Sequence, residues 1–539
     1  KTQSLAQLHQ QQNGLKTLVA TTEQVYNEFS SGSQDVSAIR DFVKMFYDRA
    51  LDSTQMPKYL LLFGRGSYDV RSRTNNTNYV PAYESGTSET PTTSYPSDDF
   101  YGMLDSNEGA WDLNPDMLDL GIGRLPVTTE SEAKNAITKI ISYTSVPGTI
   151  ETGNSCSTDI CYGLGDWLNS VTFIGDDGDG NDHMEQANEI ATKVDTTYNN
   201  YNLDKIYLDA YQQVSTPGGE RYPDATAAFM RRMDRGTLIV NYTGHGGEVG
   251  LTKERFLEIY HINEWKNKCR LPLFFTATCE FSRWDDPGRI SAGELTLSST
   301  EGGSIGLMST TRVVYSGPNF TLNQNFYKHT FVPLPNGTMP RLGDLHMLTK
   351  NDMGPTQINH RNFSLLADPA LSLNYTEYSI TTTHVNGVPV NASQPDTIKA
   401  LSQVTVQGEV RDKNGNLIPG FNGIIYPTVY DKTANITTLS NPGVGSEAPG
   451  PPLTFTLQKN IVFKGKASVT NGVFSFSFIV PKDIAYNFGN GRISYYAHNG
   501  YEDASGAFED VIIGGTNTAA PADALGPEIK LYMNDEKFV

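Results

Sequence analysis

Two apolar runs, one ending in a histidine and the other in a cysteine, constrain the fold of this chain most. The first run covers residues 237–244 and is followed by His245, and the second covers residues 271–278 and is followed by Cys279. Runs that are apolar on both faces are typical of strands buried in a parallel sheet. Because the carboxyl ends of such strands open into the crevice where ligands bind, neighbouring strands would bring the imidazole and the thiol to one edge.

An imidazole beside a thiol is the pairing that a cysteine nucleophile needs. A free thiol, with a pKa of about 8.5, is mostly protonated at neutral pH. We expect His245 to take the proton from Cys279 and later to give it to the leaving group. The glycine after the histidine lets the backbone approach a substrate closely. The amides of Gly246 and Cys279 are therefore predicted to form an oxyanion hole.

Taken singly, neither residue indicates catalysis. A cysteine after an apolar strand is commonly a small buried residue, and a lone histidine is commonly a polar group with a satisfied hydrogen bond. Their joint placement at two strand ends, with glycines around His245, favours a catalytic pair over these structural roles.

A third group is needed to orient the imidazole. Residues 171–175 form another short apolar run, which ends in Asp176 and Asp177. If this run is a strand of the same sheet, both carboxylates lie at the edge that carries His245. We predict that Asp177 is the orienting acid.

The same acidic, glycine-rich loop has an alternative interpretation as a calcium site. Asp177, Asp179 and Asn181 match the first ligand spacing of a calcium-binding loop. The match then fails, because Asp182 stands where that loop needs glycine and Asn188 where it needs glutamate. We expect the chemistry to require no metal or other cofactor, although a structural calcium site of another kind stays open.

Length and charge limit the classes of protein. The chain has 539 residues, too many for one core. Lys and Arg total 41 against 60 Asp and Glu, a net charge of −19, which argues against a nucleic-acid partner. No apolar run reaches the roughly 20 residues of a membrane helix. The chain begins inside a helical pattern and ends inside a strand-like one, so we expect it to be a fragment of a longer protein.

The four cysteines bear on the redox compartment. Cys156 and Cys161 lie close together in a polar loop and are predicted to form a short-range disulfide. A metal site is not expected there, because no second pair of ligands has matching spacing. A disulfide would place the protein in an oxidising compartment. Cys269, at the end of a basic helix-like stretch, is expected to have no special role.

The order of patterns along the chain predicts its domains. Helix and strand patterns alternate over residues 1–150, where residues 15–20 read as a strand, and again over residues 151–376. Such alternation predicts an α/β fold of two stacked subdomains with mainly parallel sheets flanked by helices. Period-two alternation with frequent turns predicts an immunoglobulin-like β-sandwich over residues 377–515. Residues 516–539 read as a linker or as the start of a missing C-terminal module.

The motifs around the two strand ends resemble those of a known family. Thr-Gly-His-Gly-Gly at residues 243–247 and Ala-Thr-Cys-Glu at residues 277–280 are similar to the histidine and cysteine motifs of gingipain-type cysteine peptidases, a branch of the caspase-like clan. Other matching segments are residues 21–29, 38–43, 97–102, 122–126 and 365–370. The resemblance covers about residues 1–375. It implies a caspase-like fold followed by a sandwich, His245 and Cys279 as the catalytic dyad, and an acid at Asp177.

Within this family, the chain is most similar to the sortases of the type IX secretion system. That similarity implies an enzyme on the outer-membrane surface, with an outer-membrane anchoring protein as a partner. The enzyme would remove the C-terminal signal domain of secreted cargo and transfer the cargo to an amine of anionic lipopolysaccharide. Two other functions stay open: a secreted gingipain-like endopeptidase that cuts after Arg or Lys, and a catalytically inactive surface interaction module.

Overall fold

The computed structural model describes residues 2–71, 77–109, 116–145, 163–355, 358–391, 397–443 and 449–520. Its helices are α1 (Thr2–Asn13), α2 (Thr22–Phe29), α3 (Val36–Arg49), α4 (Glu130–Thr144), α5 (Asp182–Thr197), α6 (Pro223–Arg235), α7 (Ile259–Glu264), α8 (Ala292–Ser298), α9 (Ser316–Thr330) and α10 (Leu342–Asn351). None of these helices has the length and apolar character that crossing a bilayer requires.

The strands before residue 377 belong to two α/β regions. They are β1 (Tyr59–Phe63), β2 (Tyr83–Glu84), β3 (Pro96–Ser97), β4 (Gly121–Leu125), β5 (Ser170–Gly175), β6 (Asn202–Tyr207), β7 (Val214–Thr216), β8 (Gly219–Arg221), β9 (Ile239–Thr243), β10 (Gly246–Gly247), β11 (Gly250–Leu251), β12 (Leu257–Glu258), β13 (Leu273–Ala277), β14 (Gly306–Thr310) and β15 (Phe363–Leu366).

The N-terminal region contains a parallel pair, β1 with β4, over which α2 and α3 help to form a separate apolar core. The predicted strand over residues 15–20 does not form. Leu18 is 67% exposed there, so this segment has neither a partner strand nor a core to cover it. The predicted boundary at residue 150 lies outside the described residues.

A six-stranded sheet forms the centre of the molecule, in the order β15-β14-β13-β9-β5-β6. All its pairings are parallel except that of β14 with β15. Every residue of β5, β9, β13 and β14 is buried, because helices cover both faces. Helices α5 and α9 pack on one face, and α6, α7 and α8 contribute to the core on the other. This arrangement confirms the predicted α/β fold.

The C-terminal region confirms the predicted sandwich, and its sheet also closes on itself. Its strands are β16 (Tyr378–Val385), β17 (Val388–Pro389), β18 (Thr397–Ala400), β19 (Gln403–Arg411), β20 (Gly423–Tyr430), β21 (Ala434–Thr437), β22 (Thr454–Leu457), β23 (Ile461–Lys464), β24 (Ala467–Thr470), β25 (Val473–Ile479), β26 (Gly489–His498) and β27 (Asp503–Thr516). β16 pairs antiparallel with β19 and parallel with β27, which closes a barrel-like ring around a separate core.

The hairpin of β21 and β22 leaves the sandwich and docks on the α/β region. Phe455 and Leu457 of the hairpin join the central apolar core, and the Phe455 ring lies 4.7 Å from that of Tyr207. Asp209, which is buried, accepts hydrogen bonds from the amides of Ser440 and Asn441, at 2.9 and 2.7 Å. The sandwich is therefore fastened to the α/β region by apolar burial and by a buried carboxylate.

The cysteines correct one expectation. Cys269, in the turn before β13, is disulfide-bonded rather than without a role. The predicted Cys156–Cys161 pair lies outside the described residues. Cys279 is the free cysteine of the described part of the chain.

We predict that Asp209→Ala loosens the docked hairpin and lowers the free energy of unfolding by about 3 kcal/mol, because buried donors left without an acceptor cost about 1–3 kcal/mol each. Chemical denaturation measures this loss. The matched control is Asp166→Ala, which removes an exposed ion pair with Lys464 at the same interface. That pair should contribute less than about 1 kcal/mol. Equal losses for the two variants would contradict the role given to Asp209.

Candidate active site

The sheet register brings the predicted catalytic residues to one edge. Thr243 of β9 lies opposite Ala277 of β13, and it also lies opposite Gly175 of β5. His245 and Cys279 each follow two residues after the Thr243–Ala277 pair, at the carboxyl ends of adjacent parallel strands. Adjacent strands run about 4.8 Å apart. The imidazole and the thiol therefore start from neighbouring points on the same edge, as the sequence predicts.

The backbone of His245 is fixed from several directions. Its amide donates to Oδ2 of Asp176 at 2.8 Å, and its carbonyl accepts from the hydroxyl of Tyr242 at 2.5 Å. A Cβ at Gly178 would lie 2.8 Å from Cδ2 of the imidazole, so glycine is needed where this loop passes the ring. These contacts set the position of the ring before any substrate binds.

Asp179, not Asp177, is the carboxylate nearest to the imidazole. Oδ2 of Asp179 lies 3.3 Å from Nε2 of His245 and 3.4 Å from Nε2 of His183. Both are ion-pair distances whose directions do not suit a hydrogen bond. Burial alone would raise the pKa of Asp179, but the attraction of His245 and His183 outweighs it and lowers that pKa. Asp179 is therefore a carboxylate anion beside the ring.

Asp177 faces a different partner. The hydroxyl of Tyr222 donates to its Oδ2, and among the described residues no ion pair joins Asp177 to the imidazole, so its orienting role stays a prediction. Burial, together with the charge of Asp176, raises the pKa of Asp177 to about 7. Burial, together with the charge of Glu254, raises the pKa of Asp176 to about 6. Asp176 instead contributes by holding the His245 amide.

The loop that carries Asp179 has an unusual backbone. Asp179, Gly180 and Asn181 have φ angles of 55°, 71° and 78°, three left-handed residues in succession. For residues other than glycine such angles are unfavourable and need support from the surroundings. Asn181 is buried, and its side-chain amide donates to the carbonyl of Pro451 at 2.8 Å. The docked sandwich segment thus stabilises the loop that presents Asp179.

The segment after β14 positions Cys279. The amide of Val314 lies 3.5 Å from the Cys279 sulfur, and the carbonyl of Val314 lies 3.7 Å from it. The amide of Glu280 donates to the carbonyl of Arg312 at 3.3 Å. Arg312 is itself held by a buried, two-point ion pair with Asp285. Glu280 has a φ of 52°, so a strained residue directly follows Cys279.

The environment of Cys279 favours the thiol over the thiolate. Burial raises the pKa of Cys279, the Glu280 charge adds to this, and the hydrogen bond from Val314 opposes it. If this sulfur is a nucleophile, as the sequence predicts, it needs a base to take its proton.

The two amides predicted to form an oxyanion hole are placed to donate. The amide of Thr252 donates to the carbonyl of His245 at 2.9 Å. Because bonded and non-bonded pairs alternate in an antiparallel ladder, the next pair, Gly246 with Leu251, is non-bonded and the Gly246 amide points away from β11. The Cys279 amide has no hydrogen-bond acceptor among the described residues. The role of both amides stays a prediction.

Two groups of side chains could hold a metal ion. Asp179, His183 and His245 form one, and Asp176, Asp177 and Glu254 form the other, with the ligand atoms of each group within 4.8 Å of one another. The second group offers only carboxylate oxygens, the ligands that calcium prefers, so a structural calcium ion stays a prediction.

Sequence reasoning missed His183 and Glu254. For His183 a signal was present, because it lies four residues after Asp179 near the start of a predicted helix, and residues four apart share a helix face. Glu254 lies in the irregular segment between β11 and β12, and no pattern in the sequence points to it.

A family model for peptidase family C25 matches residues 1–374. The chain belongs to peptidase family C25. This finding agrees with the cysteine and histidine at the strand ends, since the family is one of cysteine peptidases. Comparison with curated protein sequences gives no significant match.

Solved structures show that this C25 chain has the gingipain fold. The Arg-specific cysteine proteinase gingipain R (RgpB) is 19% identical with a TM-score of 0.51, over 92% of this chain and 93% of that one. The complex of Porphyromonas gingivalis RgpB pro- and mature domains is 18% identical with a TM-score of 0.52, over 94% of this chain and 97% of that one. Dimeric latent PorU from Porphyromonas gingivalis is 24% identical with a TM-score of 0.41, and the match covers all of this chain and 44% of PorU.

We predict that Glu280→Gln lowers the pKa of Cys279, because it removes a negative charge that raises it. The rate of Cys279 alkylation by iodoacetamide, followed against pH by peptide mass spectrometry, should then rise at a lower pH than in the wild type. Glu301→Gln, in an exposed pair with Lys266, is the control and should leave the profile unchanged. An unchanged or higher midpoint in Glu280→Gln would show that this charge does not act on the sulfur.

Proposed function

We propose that this C25 peptidase is a cell-surface sortase. In this proposal it cleaves the C-terminal signal domain from cargo of the type IX secretion system through a thioester. It then transfers the cargo to an amine of anionic lipopolysaccharide. The observation that carries the peptidase chemistry is the placement of His245 and Cys279 at the ends of adjacent strands, with Asp179 on the imidazole.

The contacts of the His245 imidazole support different roles for its two nitrogens, Nε2 and Nδ1. Because Nε2 faces the Asp179 carboxylate, the neutral ring is favoured with its proton on Nε2. Nδ1 is then the nitrogen with a free lone pair, and it takes the proton from Cys279. Asp179 stabilises the imidazolium that results, as an orienting carboxylate does in other triads.

The first half of the reaction forms the thioester. The Cys279 sulfur attacks the scissile carbonyl as its proton passes to His245, and the developing oxyanion accepts hydrogen bonds from the amides of Gly246 and Cys279. The carbon–nitrogen bond then breaks, and His245 gives its proton to the departing amine, which carries the signal domain away. The cargo remains joined to the sulfur.

The second half decides between transfer and hydrolysis. An acceptor amine loses a proton to His245 and attacks the thioester, which restores the thiol and forms a new amide. Water resolves the same thioester to a carboxylate, so a transferase must position the amine or exclude water. The choice of transfer is supported by the resemblance of the motifs to those of type IX sortases, and an outer-membrane anchoring protein is the partner that this proposal expects.

The surface location has support of its own. The disulfide at Cys269 is of a kind that persists in oxidising compartments outside the cytosol.

A product analysis tests the proposal. We expect the wild-type chain, mixed with a cargo that ends in its signal domain and with amine-bearing anionic lipopolysaccharide, to release the intact signal domain and to give cargo joined to the lipid. Mass spectrometry of the products distinguishes a new amide from a free carboxylate. Cys279→Ala should abolish both products, and its thermal unfolding should match the wild type.

Other outcomes would decide against the sortase. Cuts within the cargo after Arg or Lys would instead favour a secreted endopeptidase. Cleavage at the signal domain with only a free carboxylate would retain the peptidase and reject the transfer. If Cys279 were alkylated no faster than a thiol in an unfolded peptide and no product formed, the chain would be an inactive interaction module.

We predict that Asp179→Asn lowers kcat by about tenfold to a hundredfold, because a charge-assisted contact contributes about 1.5–3 kcal/mol. The matched control is Asp177→Asn, two residues away in the same loop, whose carboxylate faces Tyr222. Asp177→Asn should lower kcat less than Asp179→Asn does. Initial rates on a cleaved peptide measure both variants. A larger loss in Asp177→Asn would return the orienting role to the residue that the sequence predicts.

A further inference from the structure

Three side chains around the catalytic imidazole converge on a single point. Asp179 lies in the loop after β5, His183 in the first turn of α5, and His245 after β9. Their ligand atoms lie within 4.8 Å of one another. Three separate elements thus direct two imidazoles and one carboxylate into the same small space.

Among the described residues, the polar contact of the His183 ring is its ion pair with Asp179, without a hydrogen bond. The residue is only 5% exposed, and neither ring nitrogen makes a hydrogen bond within the described residues. Its ring packs edge-on against His245, with centroids 5.1 Å apart at 88°. Most buried polar groups have a partner, and a buried group without one costs about 1–3 kcal/mol. A ligand between His183 and His245 would give Nε2 of His183 a partner.

The distances fit a tetrahedral ion. Bonds of about 2.0–2.1 Å to zinc place neighbouring ligand atoms of a tetrahedron about 3.3 Å apart. Nε2 of His245 and Nε2 of His183 lie 3.3 and 3.4 Å from Oδ2 of Asp179. Two imidazole nitrogens and one carboxylate oxygen suit zinc, whereas calcium and magnesium prefer oxygen alone.

We propose that Asp179, His183 and His245 form a zinc site, and that bound zinc holds the enzyme inactive. The site itself stands on the geometry of the three side chains. The inhibition rests on the proposed function, because it takes His245 as the base for Cys279.

The inhibition follows from the chemistry of imidazole. A neutral imidazole that gives the lone pair of Nε2 to zinc carries its proton on Nδ1. No lone pair then remains to accept the proton of the Cys279 thiol. Zinc also occupies the oxygen of Asp179 that would stabilise the imidazolium. Removal of the ion returns Nδ1 to its free state.

A competition titration tests the site without reference to activity. The full chain, stripped of metal, is titrated with zinc chloride against a chromophoric zinc chelator, and we expect one site per chain. His183→Asn and Asp179→Asn should each weaken zinc binding by at least about tenfold. Asp179 is half-exposed, so Asp179→Asn remains informative if His183→Asn fails to fold. His329→Asn, at a surface histidine 2.9 Å from Asp352, is the control and should bind like the wild type.

Cys279→Ala separates this site from one built on the catalytic thiolate. We expect it to retain zinc, and X-ray absorption of the zinc-loaded wild type should show nitrogen and oxygen ligands with no sulfur. Wild-type affinity in both His183→Asn and Asp179→Asn, or loss of zinc in Cys279→Ala, would overturn the site.

A rate measurement tests the inhibition separately. Peptide cleavage by the wild type should stop with one equivalent of zinc and return with a chelator. Binding without an effect on cleavage would reject the inhibition and keep the site. If the protein cleaves no peptide at all, the titration still decides whether the site exists.

Discussion

The parallel pairing of β5, β9 and β13 is the constraint on which the site depends. Its register sets Gly175, Thr243 and Ala277 side by side, so that the residues following the three strands start at the same edge of the sheet. Burial on both faces makes this register difficult to change, since a shift of one residue would turn every side chain to the opposite face. Cys279, His245 and Asp179 all follow strands that end at this edge.

The central sheet alone does not place Asp179 beside the imidazole. Asp179 reaches the imidazole only because three consecutive residues adopt left-handed backbone angles, and this loop is held by the carbonyl of Pro451. Pro451 lies between β21 and β22, and the hairpin of these strands shares the central core through Phe455. The β-sandwich region is therefore part of the support of the loop that carries Asp179.

Much of this architecture follows from the sequence because its signals are local. Runs that are apolar on both faces identify the strands, and the strand ends then place His245 and Cys279. A capping box of Thr129 and Glu132 begins α4, and its Thr-x-x-Glu spacing is a local signal of this kind. Such patterns fail where tertiary contacts decide the secondary structure. Residues 15–20 have a strand-like composition, but no neighbouring strand pairs with them and they form no strand.

The choice among neighbouring acids also lies beyond local patterns. Asp177 and Asp179 are two residues apart, and the outcome depends on the hydroxyl of Tyr222 and on the turn at Gly180. Likewise, the contribution of His183 becomes visible only when α5 packs beside the loop after β9. Such roles are set by side chains that are distant in sequence.

The bond between Asn181 and Pro451 also bears on the order of events in synthesis, because it joins positions 270 residues apart. A nascent chain emerges from its N-terminus and folds by domains. His245 and Cys279 would leave the ribosome well before Pro451, which holds the loop that carries Asp179. A partly synthesised chain therefore lacks this hydrogen bond, and the loop that carries Asp179 gains its support only after the segment around Pro451 has docked.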